Sequence, residues 1–247
     1  MTAIRGVVFD FYGTLVRMVP PLPPDHRSIF DRRGLVEAGR RWGDQWSVGP
    51  GEGEEHRAHS GSEQAYTAWE RDRLSARARA CGVPGDQLEE LVAEIDAAMK
   101  DLRLALFDDV LGLLTELRSR GVLVAVCSNW YWHLDRSLAD VGLTELIDVS
   151  VSSARAGARK PHPLIYRTVL DRCGLAPEET VFVGDVWRPD VEGPLAEGMR
   201  AVHLWRADRA VDGQAPPLVA GAARIAELTE LTALLWPAPA TDPARSG

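Results

Sequence analysis

Positive charge is scarce in this chain. Its 247 residues carry 28 Lys and Arg against 36 Asp and Glu, a net charge of −8. Binding nucleic acid or an anionic membrane needs concentrated basic patches, so neither is expected as a main partner. The densest basic clusters, Arg32-Arg33 and Arg40-Arg41, read as solvated helix faces. Cysteine is rarer still: Cys81, Cys127 and Cys173, an odd number without paired spacing. That pattern excludes a disulfide framework and a cysteine zinc site. It points to a reducing, cytoplasmic compartment, with Cys127 a small core residue inside an apolar strand. No apolar run approaches the ~20 residues that cross a bilayer. The first strand begins too early to leave room for a signal peptide. Nor is there an internal repeat.

What the chain does have is a globular composition, 45% hydrophobic with 22 glycines. It is long enough for one large domain or a domain with an insert. The β-branched run from Ile4 to Phe9 predicts a first strand. Pro20-Pro21-Leu22-Pro23-Pro24 then continues neither a helix nor a central strand. Helical spacing follows over Ser28 to Trp46, Ser62 to Ala80 and Asp86 to Met99, the last two separated by Pro84-Gly85. Between the first two, the polar stretch from Gly49 to His56 predicts a mobile loop, with His56 and His59 solvated in it.

From Asp108 helix and strand alternate. Helices are expected over Asp108–Arg120, Leu134–Val141, Leu164–Cys173, Val191–Glu197 and Ala222–Leu235. Strands are expected over Val122–Cys127, near Val149, and over Val181–Val183 and Ala201–Trp205. This order predicts an α/β fold, a Rossmann-like parallel sheet with helices on both faces. The core is assigned to 1–15 and 106–236, an inserted all-helical cap to 16–105, and a flexible tail to 237–247.

Polar residues collect at the strand ends, where open α/β sheets bind ligands. Asp10 closes the run Val7-Val8-Phe9, and a carboxylate there is costly unless paired, metal-bound or put to chemical use. Gly13 allows a positive φ beside it, and Thr14 offers a hydroxyl. Ser128-Asn129 follows Val124-Ala125-Val126-Cys127, a small hydroxyl residue and free N–H groups suited to an anion or to a helix N-cap. Lys160-Pro161-His162-Pro163 holds a lysine where it can neutralise a buried carboxylate, with His162 a turn residue. Gly184-Asp185 and Asp190 supply two hard oxygen donors of the kind Mg²⁺ prefers. Asp10, Asp185 and Asp190 carry three negative charges against the one on Lys160, so like-charge repulsion would protonate one of them. A divalent cation restores the balance and admits an anionic substrate.

These four ordered signals resemble the haloacid dehalogenase-like hydrolase superfamily, in the subclass with a helical cap inserted after the first motif. Asp10 to Leu15 matches motif one, Ser128 motif two, Lys160 motif three, and Gly184 to Asp190 motif four. The resemblance implies that Asp10 is the nucleophile. It implies that Asp10, the Tyr12 backbone carbonyl and Asp185 hold Mg²⁺, with Asp190 supporting through water. It also implies that Ser128, the neighbouring N–H groups and Lys160 bind the transferring group. Catalytic roles accordingly fall to Asp10, Tyr12, Thr14, Lys160 and Asp190. Small-substrate contacts fall to Ser128, Asn129, Trp130 and Arg41. The oligomeric state is left open.

One position departs from the phosphatases of that family, which carry a second aspartate two residues after the nucleophile. Here Tyr12 stands there, and a tyrosine with a reference pKa of ~10 is a poor base at neutral pH. The 2-haloacid dehalogenases resemble this chain at that point, with Asp-x-Tyr-Gly-Thr, no metal, and an arginine early in the cap where Arg40 and Arg41 lie. Gly184-Asp185 departs from their Ser-x-Asn. The reading is therefore a Mg²⁺-dependent phosphoric monoester hydrolase acting on a small metabolite through an aspartyl-phosphate. The alternatives are a metal-independent 2-haloacid dehalogenase and a non-catalytic binding protein on the same scaffold. Tyr12, Trp130, Tyr131 and Trp187 are candidates for an aromatic pocket floor.

Overall fold

A computed structural model describes residues 2–43, 49–206 and 214–237. In chain order the elements are β1 (Gly6–Phe9), β2 (Val16–Met18), α1 (His26–Arg32), α2 (Val36–Trp42), α3 (Glu63–Ala80), α4 (Gly85–Lys100) and β3 (Leu104–Leu106). Then come α5 (Val110–Ser119), β4 (Leu123–Ser128), α6 (Leu134–Asp140), β5 (Val149–Ser152), α7 (Ser153–Ala156), α8 (Pro163–Cys173) and β6 (Thr180–Gly184). The chain continues through α9 (Gly193–Ala196), β7 (Arg200–Leu204), β8 (Ala222–Ile225) and α10 (Leu231–Leu235).

Apolar residues run unbroken through the central strands because both faces of the sheet are covered. Successive side chains point to opposite faces. Val7 and Phe9 of β1, Val124 and Val126 of β4, and Val181 and Val183 of β6 pack with α5, α6 and α10. Val8, Ala125, Cys127 and Phe182 pack with Ile165, Tyr166, Val169 and Leu170 of α8. The result is a six-stranded parallel sheet in the order β5-β4-β1-β6-β7-β8. The expected α/β Rossmann-like architecture is present.

Between β2 and β3 the insert has its own core. Ile29, Phe30, Trp42, Leu74, Leu91 and Ile95 of α1 to α4 are buried together. Ser62 caps α3 by accepting from Ala65 N at 3.2 Å, and Pro84 precedes α4. The insert is not wholly helical. β2 and β3 pair antiparallel at its stem, Val16 opposite Leu106.

Three further expectations change. The single helix over 28–46 is two helices, because Gly34 at φ 70° ends α1 and lets Leu35 turn back to Phe30; its end at Trp46 lies outside the described residues. The final helix begins at Leu231, because Ala222–Ile225 adds a parallel edge strand to β7. Alanine favours helices locally, but the ladder of β7 supplies long-range hydrogen bonds that local propensity does not register. The helix over 191–197 is a π-helical turn, Arg188–Glu192, leading into α9. The tail from 238 on lies outside the described residues.

The stretch 49–56 is held rather than loose. Glu54 pairs with Arg73 at 2.6 Å and takes Gly51 N at 2.7 Å. Its carbonyl accepts from Arg159 N at 3.1 Å, and His56 N donates to Gly157 O at 2.6 Å. His56 is buried against the ring of Trp69, with Nε2 3.0 Å from Ser153 O. Of the two histidines, His59, which also stacks on Trp69, keeps the more open position.

Burial lowers the His56 pKa, outweighing the carbonyl contacts that raise it, and burial lowers that of His203 as well. An unfolded histidine titrates near ~6.5. The unfolded chain therefore takes up protons below that pH while the folded chain resists them, so stability present above ~6.5 is lost as pH falls. Asp190, whose carboxyl is raised to about 6, acts in the opposite sense as pH falls, equally in wild type and variant. From pH 7.5 to 5.5 the urea midpoint of the wild type is therefore expected to shift downward relative to that of His56→Gln. An equal change in both proteins would remove His56 from the account.

Candidate active site

β4, β1 and β6 lie side by side, so their carboxyl ends bring Ser128, Asp10 and Asp185 to one mouth. Asp10 N continues the ladder to Val183 O at 2.9 Å. After Asp10 the chain turns sharply. Gly13, at φ 88°, donates its N–H to Val16 O at 2.8 Å, and the turn delivers Thr14 to the mouth. There Thr14 Oγ1 donates to Asp185 Oδ1 at 3.2 Å, so its hydroxyl serves a neighbouring carboxylate. Arg206 braces the turn from behind, donating to Thr14 O at 3.1 Å while paired with Asp109 at 2.9 Å.

Lys160 enters from the segment before α8. Its ammonium, 1% exposed and 4.9 Å above the Phe182 ring, donates to Asp10 Oδ1 and Asp190 Oδ1, each at 2.7 Å. Ser128 Oγ donates to the same Asp10 Oδ1 at 2.9 Å. Asn129 clasps the lysine's backbone from both sides: its Oδ1 accepts from Lys160 N at 2.7 Å, and its Nδ2 donates to Lys160 O at 3.2 Å. Asp190 sits on the π-helical turn, where Oδ2 accepts from Val186 N at 2.9 Å. A Cβ on Gly184 would lie 2.4 Å from Asp190 Cγ, so glycine alone lets that carboxylate fold back under the strand.

The electrostatics follow from this crowding. Asp10, Asp185 and Asp190 are all buried, and one oxygen from each lies within 4.8 Å of the others. Burial and the Asp10 charge push the Asp190 carboxyl up to about 6 against the pull of Lys160. Burial would lower the Lys160 pKa, but the two carboxylates reverse this and hold it raised, so the ammonium stays charged. Three carboxylates facing one ammonium leave the centre with surplus negative charge. Hard oxygen donors so spaced suit an oxygen-seeking divalent cation such as Mg²⁺.

Between core and insert, against the turns that carry Tyr12 and Asn129, lies a cavity of about 220 Å³ walled also by Tyr66, Trp130, Tyr131, Glu70 and Arg159. Trp130 is fixed edge-on to Phe11 at 5.0 Å and by its Nε1 donating to Ser137 Oγ at 3.0 Å. A larger cleft of about 460 Å³ opens on the far side of Trp130 and Tyr131 and is lined by neither Tyr12 nor Asn129.

The structure thus gathers Asp10, Tyr12, Thr14, Ser128, Asn129, Trp130, Lys160, Asp185 and Asp190 in one region. It does not bring Arg41 there. Arg41 is exposed on α2 and donates to Cys81 O at 3.3 Å within the insert, while Arg40 pairs with Glu37. Trp187 also turns away, donating to Glu192 at 2.9 Å and packing on His203. Sequence reasoning missed Arg159, although it immediately precedes Lys160, and missed Tyr66 and Glu70 on α3. Nothing in the sequence around Arg159 tells which way its side chain faces, and nothing local in α3 marks the face that meets the core.

A fold of this kind, with acids at adjacent strand tips and a buried lysine between them, defines a class of hydrolase. The family model for haloacid dehalogenase-like hydrolases matches residues 4–198, and the chain belongs to that family. Among curated relatives, the phosphoglycolate phosphatase of Pectobacterium atrosepticum is 28% identical over 83% of this chain and 81% of its own length. The phosphoserine phosphatase of Thermus thermophilus is 35% identical, but the match spans only 47% of either chain. In fold the chain is similar to a phosphatase of Thermococcus onnurineus, with TM-score 0.64 and 23% identity over 94% of this chain and 98% of that one. It is also similar to the L-2-haloacid dehalogenase of Xanthobacter autotrophicus, with TM-score 0.58 and 22% identity over 94% and 98%. At these identities the structural likeness speaks for the fold. Among the described residues no helix is long and apolar enough to cross a membrane.

Proposed function

We propose that the protein is a Mg²⁺-dependent phosphoric monoester hydrolase acting on a small metabolite. The observation that carries the reading is the cluster of three buried carboxylates around a single lysine. Such a cluster is electrostatically incomplete without a cation, and a metal-free dehalogenase has no use for the surplus acid. The phosphatase names among the curated relatives support it. Asp10, Asp185 and the Tyr12 carbonyl are the groups proposed to hold Mg²⁺, with Asp190 behind them. Bound there, the ion would supply positive charge to the phosphoryl oxygens.

The chain's own residues have the following roles. Ser128 and Lys160 both donate to Asp10 Oδ1, which orients the carboxylate so that its other oxygen attacks phosphorus. The ester oxygen departs with its electron pair and takes up a proton, leaving an aspartyl-phosphate. Water then attacks that phosphorus, releasing inorganic phosphate and restoring Asp10. Lys160 and Ser128 offset the charge on the phosphoryl oxygens throughout. Asn129 fixes the lysine segment, and the helical insert acts as a cap that covers the reacting groups. Three unpaired cysteines, two of them buried, fit a cytoplasmic setting.

Tyr12 favours a second reading. It occupies the position of the missing acid and forms part of the cavity wall, as suits a haloacid dehalogenase whose leaving halide needs no proton. Phosphate release from a panel of monoesters, with Mg²⁺ and with EDTA, set beside halide release from 2-chloropropionate, separates the two. Phosphate release that EDTA abolishes is the expected result, and metal-independent halide release would reverse the assignment. Tyr12→Asp supplies the absent proton donor and is expected to raise phosphate release by about 10²-fold or more. No gain would mean that leaving-group protonation is not what limits this site.

A further inference from the structure

We propose that the 220 Å³ cavity lined by Tyr12 and Asn129 is a carboxylate-binding subsite in which Arg159 receives a second, singly charged anionic group of the substrate. The inference rests on the phosphatase reading and narrows it to phosphate monoesters of small hydroxy acids.

Arg159 and Lys160 are consecutive, yet they face different partners. Lys160 turns to the carboxylates at the strand tips, whereas Arg159 lines the cavity with Tyr12, Tyr66, Trp130 and Tyr131. Asn129 fixes the backbone of Lys160, and Glu54 O accepts from the N–H of Arg159, so the dipeptide is braced on both sides. Tyr12 and Asn129, on the turns that follow Asp10 and Ser128, line the same cavity as Arg159, so a substrate held at Asp10 can extend toward that guanidinium.

That guanidinium lacks a counter-ion. Its Nε is buried with no hydrogen-bond partner, and among the described residues no carboxylate lies within salt-bridge distance. The nearby acids are engaged elsewhere. Glu54 pairs with Arg73, and Glu52 pairs with Arg188 at 3.0 Å. Glu70, on the opposite wall, faces Lys100 at 3.6 Å and the hydroxyl of Tyr66. Burial is the strongest influence on Arg159 and lowers its pKa, but a guanidinium remains charged at neutral pH. A half-buried guanidinium with an unpartnered Nε carries a desolvation cost that a ligand anion in the cavity would reduce.

The chemistry selects the anion. One guanidinium fork matches one carboxylate in charge and in its two parallel hydrogen bonds. A second phosphate dianion would leave a charge uncompensated in a cavity whose lining includes one cation, Arg159, and one carboxyl residue, Glu70. The aromatic and apolar walls fit a short carbon skeleton between the two anions.

Two measurements test this. The first is calorimetric titration with sodium benzoate, which carries a carboxylate and no phosphate, on the wild type, Arg159→Gln and Arg159→Lys. Affinity is expected to fall about tenfold or more in Arg159→Gln, with partial recovery in Arg159→Lys, which keeps the charge and loses the fork. The second is the ratio of kcat/KM for phosphorylated hydroxy acids of two to four carbons to that for alkyl phosphates of the same length. That ratio is expected to favour the acids in the wild type and to fall about tenfold in Arg159→Gln. No benzoate binding by the wild type, or equal binding by wild type and Arg159→Gln, overturns the subsite. Phosphate release at a ratio near one also overturns the subsite, leaving the phosphatase reading in place. Release of phosphate from neither class overturns the phosphatase reading, and benzoate then decides the cavity alone.

Discussion

Asp10→Asn is expected to lower turnover by on the order of 10⁴-fold or more while leaving the protein folded. The substitution preserves shape: an asparagine oxygen can still accept from Ser128 Oγ and Lys160 Nζ, which lie 2.9 and 2.7 Å from Asp10 Oδ1. What it removes is the anionic oxygen that forms the bond to phosphorus. It also removes one of three crowded negative charges, so the melting temperature is expected to hold or rise. Phosphate release and thermal unfolding give the two readouts. A third is a hydroxylamine-sensitive phosphoryl adduct, present after acid quench of the wild type and absent from the variant. A variant that keeps wild-type turnover would rule Asp10 out as nucleophile. A variant that loses both activity and fold would mean that the carboxylate charge is needed structurally.

The contrast between this site and its surroundings explains what could be read from the chain alone. Asp10, Ser128 and Asp185 each stand at the end of an unbroken apolar run, so their convergence follows from parallel-strand topology. Lys160 was legible for a similar reason, since the proline-rich turn around it leaves a lysine no helix surface to occupy. The alternation of Val7, Val8 and Phe9 does not by itself reveal two covered faces, but unbroken hydrophobicity does. The features that escaped depend on partners distant in sequence. β8 exists because β7 offers it a ladder, and Ala222-Ala223-Arg224-Ile225 carries no strand signal strong enough to say so. His56 sits in a stretch of glycine and glutamate whose composition suggests a solvated loop. Only its contacts with Ser153 and Trp69 show it to be part of a seam between insert and core.

Arginine illustrates the same limit. Arg41 and Arg159 are alike as residue types, and the resemblance to the dehalogenases, with their arginine early in the cap, pointed to Arg40 or Arg41. The packing of α2 sends Arg41 to the Cys81 carbonyl, whereas the brace at Asn129 and Glu54 sends Arg159 into the cavity. Position relative to a motif says which segment a residue belongs to. It does not say which face of that segment meets the ligand.

Lys160→Met tests whether the acidic cluster is held together by charge. Methionine nearly matches the lysine stem in volume and is compatible with the ring of Phe182 4.9 Å from the ammonium, so packing alone predicts a small change. Electrostatics predicts a large one. The ammonium contacts Asp10 and Asp190, which are 6% and 1% exposed, and its removal leaves two buried carboxylates facing each other without a cation. Removing one partner of a buried ion pair typically destabilises by about 3–5 kcal/mol. The variant is expected to unfold at lower urea by an amount of that size, and to lose phosphate release because nothing then offsets charge on the transferring group. Millimolar Mg²⁺ is expected to return part of the lost stability, since binding to the folded state alone raises its free energy of unfolding. EDTA should remove that gain. A change below ~1 kcal/mol would mean that water or a proton compensates the carboxylates as well as the lysine does. A stability loss that Mg²⁺ leaves untouched would count against Asp10, Asp185 and Asp190 as a cation site, and with it against the electrostatic basis of the phosphatase reading.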